Sequence, residues 1–159
     1  MKNSPLQLEA YYLTAVHLDS NENAQVKDGQ IAWSVESVVS IAEHKQDPRR
    51  WKVGLLVKFK PAEGDVKPYE GSASFTGFFA VDTTYPDEKM KMLVETNAPS
   101  VLYGAAREMF SNLTARGPWP MVMLPTKSFY PVKPKPPAPQ RQGSGVEPAA
   151  LKPDSKTEK

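Results

Sequence analysis

The strongest constraint in this sequence is an alternation of apolar and polar residues with a period of two, repeated four times. It is cleanest over Trp51–Lys60, where Trp51, Val53, Leu55, Val57 and Phe59 alternate with Lys52, Gly54, Leu56, Lys58 and Lys60. Successive side chains of a strand point to opposite faces, so this pattern describes a strand with one face in a core. Gly71–Asp82 repeats it, with Ala73, Phe75, Gly77, Phe79 and Val81 against Ser72, Ser74, Thr76, Phe78 and Ala80. In Leu6–Leu18 the even positions Leu6, Leu8, Ala10, Tyr12, Thr14, Val16 and Leu18 form the apolar set. In Ile31–Glu43 the apolar side is Ile31, Trp33 and Val35, resuming at Val39 and Ile41. The connections are rich in turn residues, such as Gln46-Asp47-Pro48 and Gly64-Asp65, and none has room for a crossover helix. The expected sheet is a four-stranded antiparallel meander with one buried face.

Helical spacing follows. Pro86, Asp87 and Glu88 read as a helix start, since proline suits the first turn and carboxylates complement the exposed amides. Met90, Leu93 and Val94 give a short first helix its apolar side, and Asn97-Ala98-Pro99 reads as an interruption. A long second helix is expected from Pro99, with a stripe of Leu102, Ala105, Ala106, Met109 and Leu113. Gly117 and Pro118 end it. The class is therefore α+β, with a short and a long helix on one side of the sheet. From residue 131 the character changes: PVKPKPPAP holds five prolines in nine positions, followed by Gly, Ser and charge. A domain over 1–130 and a disordered Pro-rich tail over 131–159 are expected.

Charge separates the same two parts. Residues 1–132 hold 14 Lys/Arg and 15 Asp/Glu, whereas residues 133–159 hold 6 and 3. The body is nearly neutral, which argues against a nucleic-acid binder. With no cysteine, disulfides and thiolate chemistry are excluded. Residues 1–7 lack the apolar run of a signal peptide, and no stretch approaches the length of a membrane span, so a cytoplasmic protein is expected.

No residue set points to catalysis. His17 and His44 have no partner at metal-ligand spacing and read as surface histidines. Arg107 and Glu108 are adjacent on a helix and point apart. No phosphate loop or nucleophile elbow is present, so neither an enzyme nor a cofactor is expected. The apolar content is more informative. Trp119, Met121, Val122, Met123 and Leu124 lie among Pro118, Pro120 and Pro125, and Met90 and Met92 precede them in the first helix. Methionine adapts to varied partners but also pads cores. Both readings stand: padding between helix and sheet, or display to a binding partner. On the long helix, Val101, Tyr103 and Phe110 fall on a second side, where they would be exposed in a monomer.

The stretch from Asn97 to Tyr130 resembles the SecB family of protein-export chaperones. The resemblance rests on Pro99, Val101-Leu102, Ala106-Arg107-Glu108, Arg116-Gly117, Trp119-Pro120, and Leu124-Pro125 with Phe129. Gly77-Phe78-Phe79-Ala80-Val81 is similar to the end of that family's fourth strand. The resemblance implies an ATP-independent holdase that keeps unfolded polypeptides in apolar grooves for export, without nucleotide or metal. It implies client contacts at Met90, Leu93, Trp119, Met121, Met123, Leu124 and Phe129. It also implies a dimer joined through the long helices, with Val101, Tyr103, Arg107 and Phe110 at the interface, and a dimer of dimers beyond that. Two departures accompany it. The family's second amphipathic helix after Phe129 is replaced here by prolines. The acidic sheet face that docks the motor SecA keeps Asp19 but has Ala15 and Ser72 at two other positions. A chaperone dedicated to one partner, such as an antitoxin, and an adaptor docking through its tail are the alternatives.

Overall fold

The computed structural model describes residues 3–26, 31–62 and 67–130. Strands β1 (Leu6–Ser20), β2 (Trp33–Glu43), β3 (Arg50–Pro61) and β4 (Tyr69–Val81) are followed by one helix, α1 (Asp87–Thr114). All pairings are antiparallel, and the strand order is β1-β4-β3-β2. The expected meander therefore holds only for β2, β3 and β4. β1 does not pair with β2. Its chain passes the end of the β3–β4 hairpin and places β1 on the far side of β4. Asn21 begins this connection, its N–H bonded to the Pro68 carbonyl at 3.0 Å.

The faces of β3 and β4 follow the alternation. Val53, Leu55, Val57, Phe59, Ala73, Phe75, Phe79 and Val81 are buried under α1. β1 departs from it. Irregularities between Leu8 and Ala10 and between Leu13 and Ala15 each add one residue, and each flips the phase of the strand. Leu8, Tyr11, Leu13 and Val16 stand opposite Phe79, Gly77, Phe75 and Ala73, on the helix side. Ala10, Tyr12 and Ala15 stand opposite Phe78, Thr76 and Ser74, on the open side. The even-numbered set expected for one face is thus divided between two.

The second difference is the helix. There is no break at Pro99; a single 28-residue helix runs through it. Proline inside a helix costs about 3 kcal/mol through a lost hydrogen bond and a clash with the preceding turn. Here Ala98 and Pro99 are buried, and neighbouring side chains supply extra donors to the turn. The Asn97 amide donates to the Leu93 carbonyl and the Ser100 hydroxyl to the Thr96 carbonyl, both at 2.9 Å. Tertiary burial overrides the local preference. At the start of α1, Arg49 from the β2–β3 turn bonds the Asp87 carboxylate and the Tyr85 carbonyl, tying the helix to the sheet.

The buried row of α1 is Met90, Val94, Ala98, Leu102, Ala106, Phe110 and Thr114, one residue in four. An α-helix turns 100° per residue, so each four-residue step advances the row by about 40°. From Met90 to Thr114 the row winds roughly two-thirds of the way round the helix. Its first half lies on the sheet. Its last residues turn toward the chain that follows α1. No described helix is long and apolar enough to cross a membrane.

Candidate functional site

After Thr114 the chain tightens, with the Gly117 N–H bonded to the Thr114 carbonyl at 3.0 Å. A Cβ on Gly117 would come within 2.0 Å of the Tyr69 hydroxyl oxygen, so only glycine permits this approach. That hydroxyl accepts the Trp119 N–H at 3.1 Å and has the Trp119 and Thr114 carbonyls within reach at 3.2 and 3.4 Å. The Trp119 indole N–H donates to the Asn21 carbonyl at 2.9 Å, joining this turn to the β1 crossover.

From Trp119 the chain doubles back along α1 and is fixed to it by four helix side chains. The Thr114 hydroxyl accepts the Val122 N–H at 2.9 Å and donates to the Phe110 carbonyl at 2.7 Å. Ser111 donates to the Val122 carbonyl at 3.0 Å, Arg107 Nε to the Leu124 carbonyl at 2.9 Å, and the Tyr103 hydroxyl to the Pro125 carbonyl at 2.7 Å. Residues 103, 107, 111 and 114 form one row along a helix by their spacing. Burial removes the Tyr103 hydroxyl from water and raises its pKa, opposed by the nearby Arg107 charge.

The held segment is extended and alternates. Val122 and Leu124 are 0% and 2% exposed, whereas Met121 and Met123 are 47% and 58% exposed. The expected client set therefore divides. Met121 and Met123 are displayed, and Trp119, Leu93 and Phe129 are half-buried, packed against the core. Met90 and Leu124 belong to the core. Phe129 packs edge-on against the Tyr103 ring at 5.8 Å.

The expected interface set divides as well. Val101 is exposed and Arg107 half-buried, but Tyr103 and Phe110 are core residues, not an open second side. The returning segment covers that flank, and Phe110 stacks edge-on against Phe59 at 4.7 Å. The larger uncovered apolar surface is one the alternation did not reveal: the helix-side residues Leu8, Tyr11, Leu13 and Val16 of β1, all more than a third exposed. Tyr69, Ser111 and Thr114 organise the site without having been candidates, and Val122, named only within the Pro-bounded apolar run, proves to be its anchor. For Ser111 and Thr114 the sequence signal is the hydroxyl spacing on α1 opposite that run; Tyr69 has none. His17 and His44 are exposed, and His17 pairs with Asp19 at 2.7 Å on the open sheet face. The proposed replacement of a second helix by the Pro-rich tail lies outside the described residues.

A sheet of this order, one helix and a returning extended segment can be compared with known proteins. A family model described as preprotein translocase subunit SecB matches residues 1–131. This chain belongs to the SecB family. Its sheet and helix form a SecB-like fold, and membership supports a chaperone role. Among solved structures, a Mycobacterium tuberculosis SecB-like chaperone in complex with a ChAD peptide from the HigA1 antitoxin matches at 15% identity and a TM-score of 0.60, over 76% of this chain and 90% of that one. A Streptococcus agalactiae protein of unknown function matches at 15% identity and a TM-score of 0.45, over 76% and 96%. No curated protein matches the sequence.

Proposed function

We propose that this SecB-family chain is a cytoplasmic, ATP-independent holdase that covers apolar segments of non-native polypeptides and has no enzymatic activity. One observation carries the reading. Met121 and Met123 are held outward on a backbone that α1 fixes in place, so apolar surface is presented without collapsing onto the protein. Methionine side chains fit varied client side chains, which suits a binder of many sequences.

Magnitudes indicate how the site is used. Fully burying a methionine is worth roughly 1.5–3 kcal/mol, so two supply less than the roughly 8 kcal/mol of a micromolar complex. Useful holding then needs several sites engaged by one client, which a homo-oligomer provides. β1 supplies the means to assemble. It is an edge strand of 15 residues, with Tyr11, Leu13 and Val16 exposed beside its free edge. Such an edge invites pairing unless it is covered. A second copy docking along β1 covers it, and α1 contributes Val101, one of its exposed apolar residues with Met92 and Leu113.

Replacing Met121 and Met123 with Ser should weaken suppression of client aggregation while leaving the melting temperature nearly unchanged. Intact holding by that stable double variant would refute the site. Leu13→Lys should lower the mass seen by light scattering toward 17.6 kDa; an unchanged mass would remove β1 from the interface.

A second reading, a chaperone dedicated to one partner, is favoured by the open sheet face. There His17, Ser72, Lys58 and Glu36 form one row of balanced charge, unlike the acidic surface implied for SecA docking. The M. tuberculosis neighbour, with its antitoxin peptide, is an instance of such a pairing. An affinity for one partner far above that for random unfolded chains would decide for it, and equal affinities would decide for general holding.

A further inference from the structure

The open face of the sheet, opposite α1, carries a second feature that the holding role does not use. At the β2–β3 turn it forms a concavity of about 780 Å³. One row of its floor is Ala10, Phe78, Lys52 and Ala42, read across β1, β4, β3 and β2. Three small or apolar side chains thus surround a single lysine, and no carboxylate stands beside it on either neighbouring strand. The next row along the strands is Tyr12, Thr76, Gly54 and Ser40; Tyr12 lines the concavity, and the other three border a separate depression next to it. That row stays low because a Cβ on Gly54 would collide with the Ser40 hydroxyl.

The walls are built from specific contacts. Tyr12 and Phe78 stand edge to face, 6.0 Å apart, with Tyr12 58% and Phe78 37% exposed. The Glu9–Arg50 ion pair, at 3.2 Å, bridges across β4, and Arg50 also reaches Asp47 at 3.6 Å. That guanidinium is therefore neutralised. Lys45 and Lys52 take part in no ion pair among the described residues. His44 Nδ1 accepts the N–H groups of Gln46 and Asp47 at 3.3 and 3.1 Å, so the neutral ring carries its proton on Nε2 as a further donor.

We propose that this concavity binds an extended polypeptide segment carrying a carboxylate beside an aromatic side chain. Charge complementarity selects the carboxylate, through Lys52 and Lys45. The exposed edge of the Tyr12–Phe78 pair accepts an aromatic ring. The low row of Gly54, Ser40 and Thr76 next to the concavity leaves room for the backbone to run on flat across the sheet. Glu9 and Glu43 on the rim disfavour a continuous phosphate chain, which would meet them at close spacing. The site is on the sheet face away from α1 and stands or falls independently of the holding role.

The test uses the full-length protein and a short labelled peptide with a single Asp flanked by Phe, followed by fluorescence anisotropy. Binding should weaken about tenfold in Lys52→Glu and again in Phe78→Ser, and should fall with added salt. A peptide with Lys in place of Asp should not bind. The Met121→Ser, Met123→Ser variant should bind the acidic peptide unchanged, and Lys52→Glu should still suppress aggregation of a neutral unfolded client. Lys52 is exposed and distant from the core, so the substitution leaves the fold intact. Equal affinity of the wild type and Lys52→Glu, loss of binding only in the methionine variant, or stronger binding of a single-stranded oligonucleotide than of the peptide would each overturn the proposal.

Discussion

Replacing Thr114 with Val removes one oxygen from a fully buried position while keeping the shape of the side chain. That oxygen accepts the Val122 N–H at 2.9 Å. Val122 is itself 0% exposed, so in the variant its amide keeps its burial and loses its acceptor. An unsatisfied buried donor costs about 1–3 kcal/mol. The other bond of the hydroxyl, to the Phe110 carbonyl, adds little, because that carbonyl retains its place in the helix ladder. The new methyl group recovers part of the loss through apolar contact. A net destabilisation of about 2 kcal/mol is expected. For a folded body of this size, 1 kcal/mol corresponds to roughly 3–4 °C in Tm, so the variant should melt about 6–8 °C lower. Ser111→Ala is the control. It removes a donor to the Val122 carbonyl at a partly exposed position, where water can substitute, and should cost less than about 1 kcal/mol. Thermal denaturation gives the difference, and hydrogen exchange at the Val122 amide locates it. Thr114→Val should also reduce client holding, although Thr114 is buried and touches no client, because Met121 and Met123 lose their fixed position. A Tm within 1 °C of the wild type, or unchanged protection of the Val122 amide, would refute the claim that this hydroxyl holds the segment.

Leu124→Ala should cost about 2–5 kcal/mol as a core truncation, while Met123→Ala, one residue away, should cost under about 0.5 kcal/mol; equal losses in denaturant melts would contradict the alternation. Tyr103 has a raised pKa in the folded protein, so its contribution is complete below its unfolded pKa near 10 and is lost as pH rises through the higher folded value. Stability should therefore fall at alkaline pH above about 10, and Tyr103→Phe should flatten that fall; an identical alkaline profile in the variant would show that burial of the Tyr103 hydroxyl does not couple its ionisation to folding.

The parts of the fold that could be read from the residues are those where one physical cause acts alone. β3 and β4 are central strands covered by α1 on one face, and their alternation maps directly onto burial. β1 misled because Tyr11, Tyr12 and Leu13 are apolar in both phases, so the added residues at its two irregularities leave no mark in the pattern. The helix was divided at Pro99 because the local preference is real; burial of Ala98 and Pro99 outweighs it, and burial depends on residues far away in the chain. Tyr103 appeared to face outward because a helical projection cannot show a covering segment held by side chain-to-backbone bonds, and Phe110 because it cannot show how far the sheet follows the helix, to Phe59. The same blindness hid Thr114 and Ser111. What survived was the observation that prolines bracket an apolar run, and it led to Met121 and Met123.

The four helix side chains that hold the returning segment grip a backbone amide and three backbone carbonyls, groups that every residue carries, proline alone lacking the amide. The hold therefore depends little on which side chains point outward at 121 and 123, although the Ser111 hydroxyl also meets the Met123 sulfur at 3.6 Å. On the proposed holding role, changes there alter what the protein touches and leave the support of the segment largely unaltered. A lineage, or an engineer, can exchange these two residues for aromatic, branched or charged ones and retune client preference in single steps, with no compensating change in the scaffold. Positions 122 and 124 have no such latitude, since their side chains fill the core. Variation in natural relatives should concentrate on the outward pair, so that diversity in the clients served is written at alternate positions of one short segment.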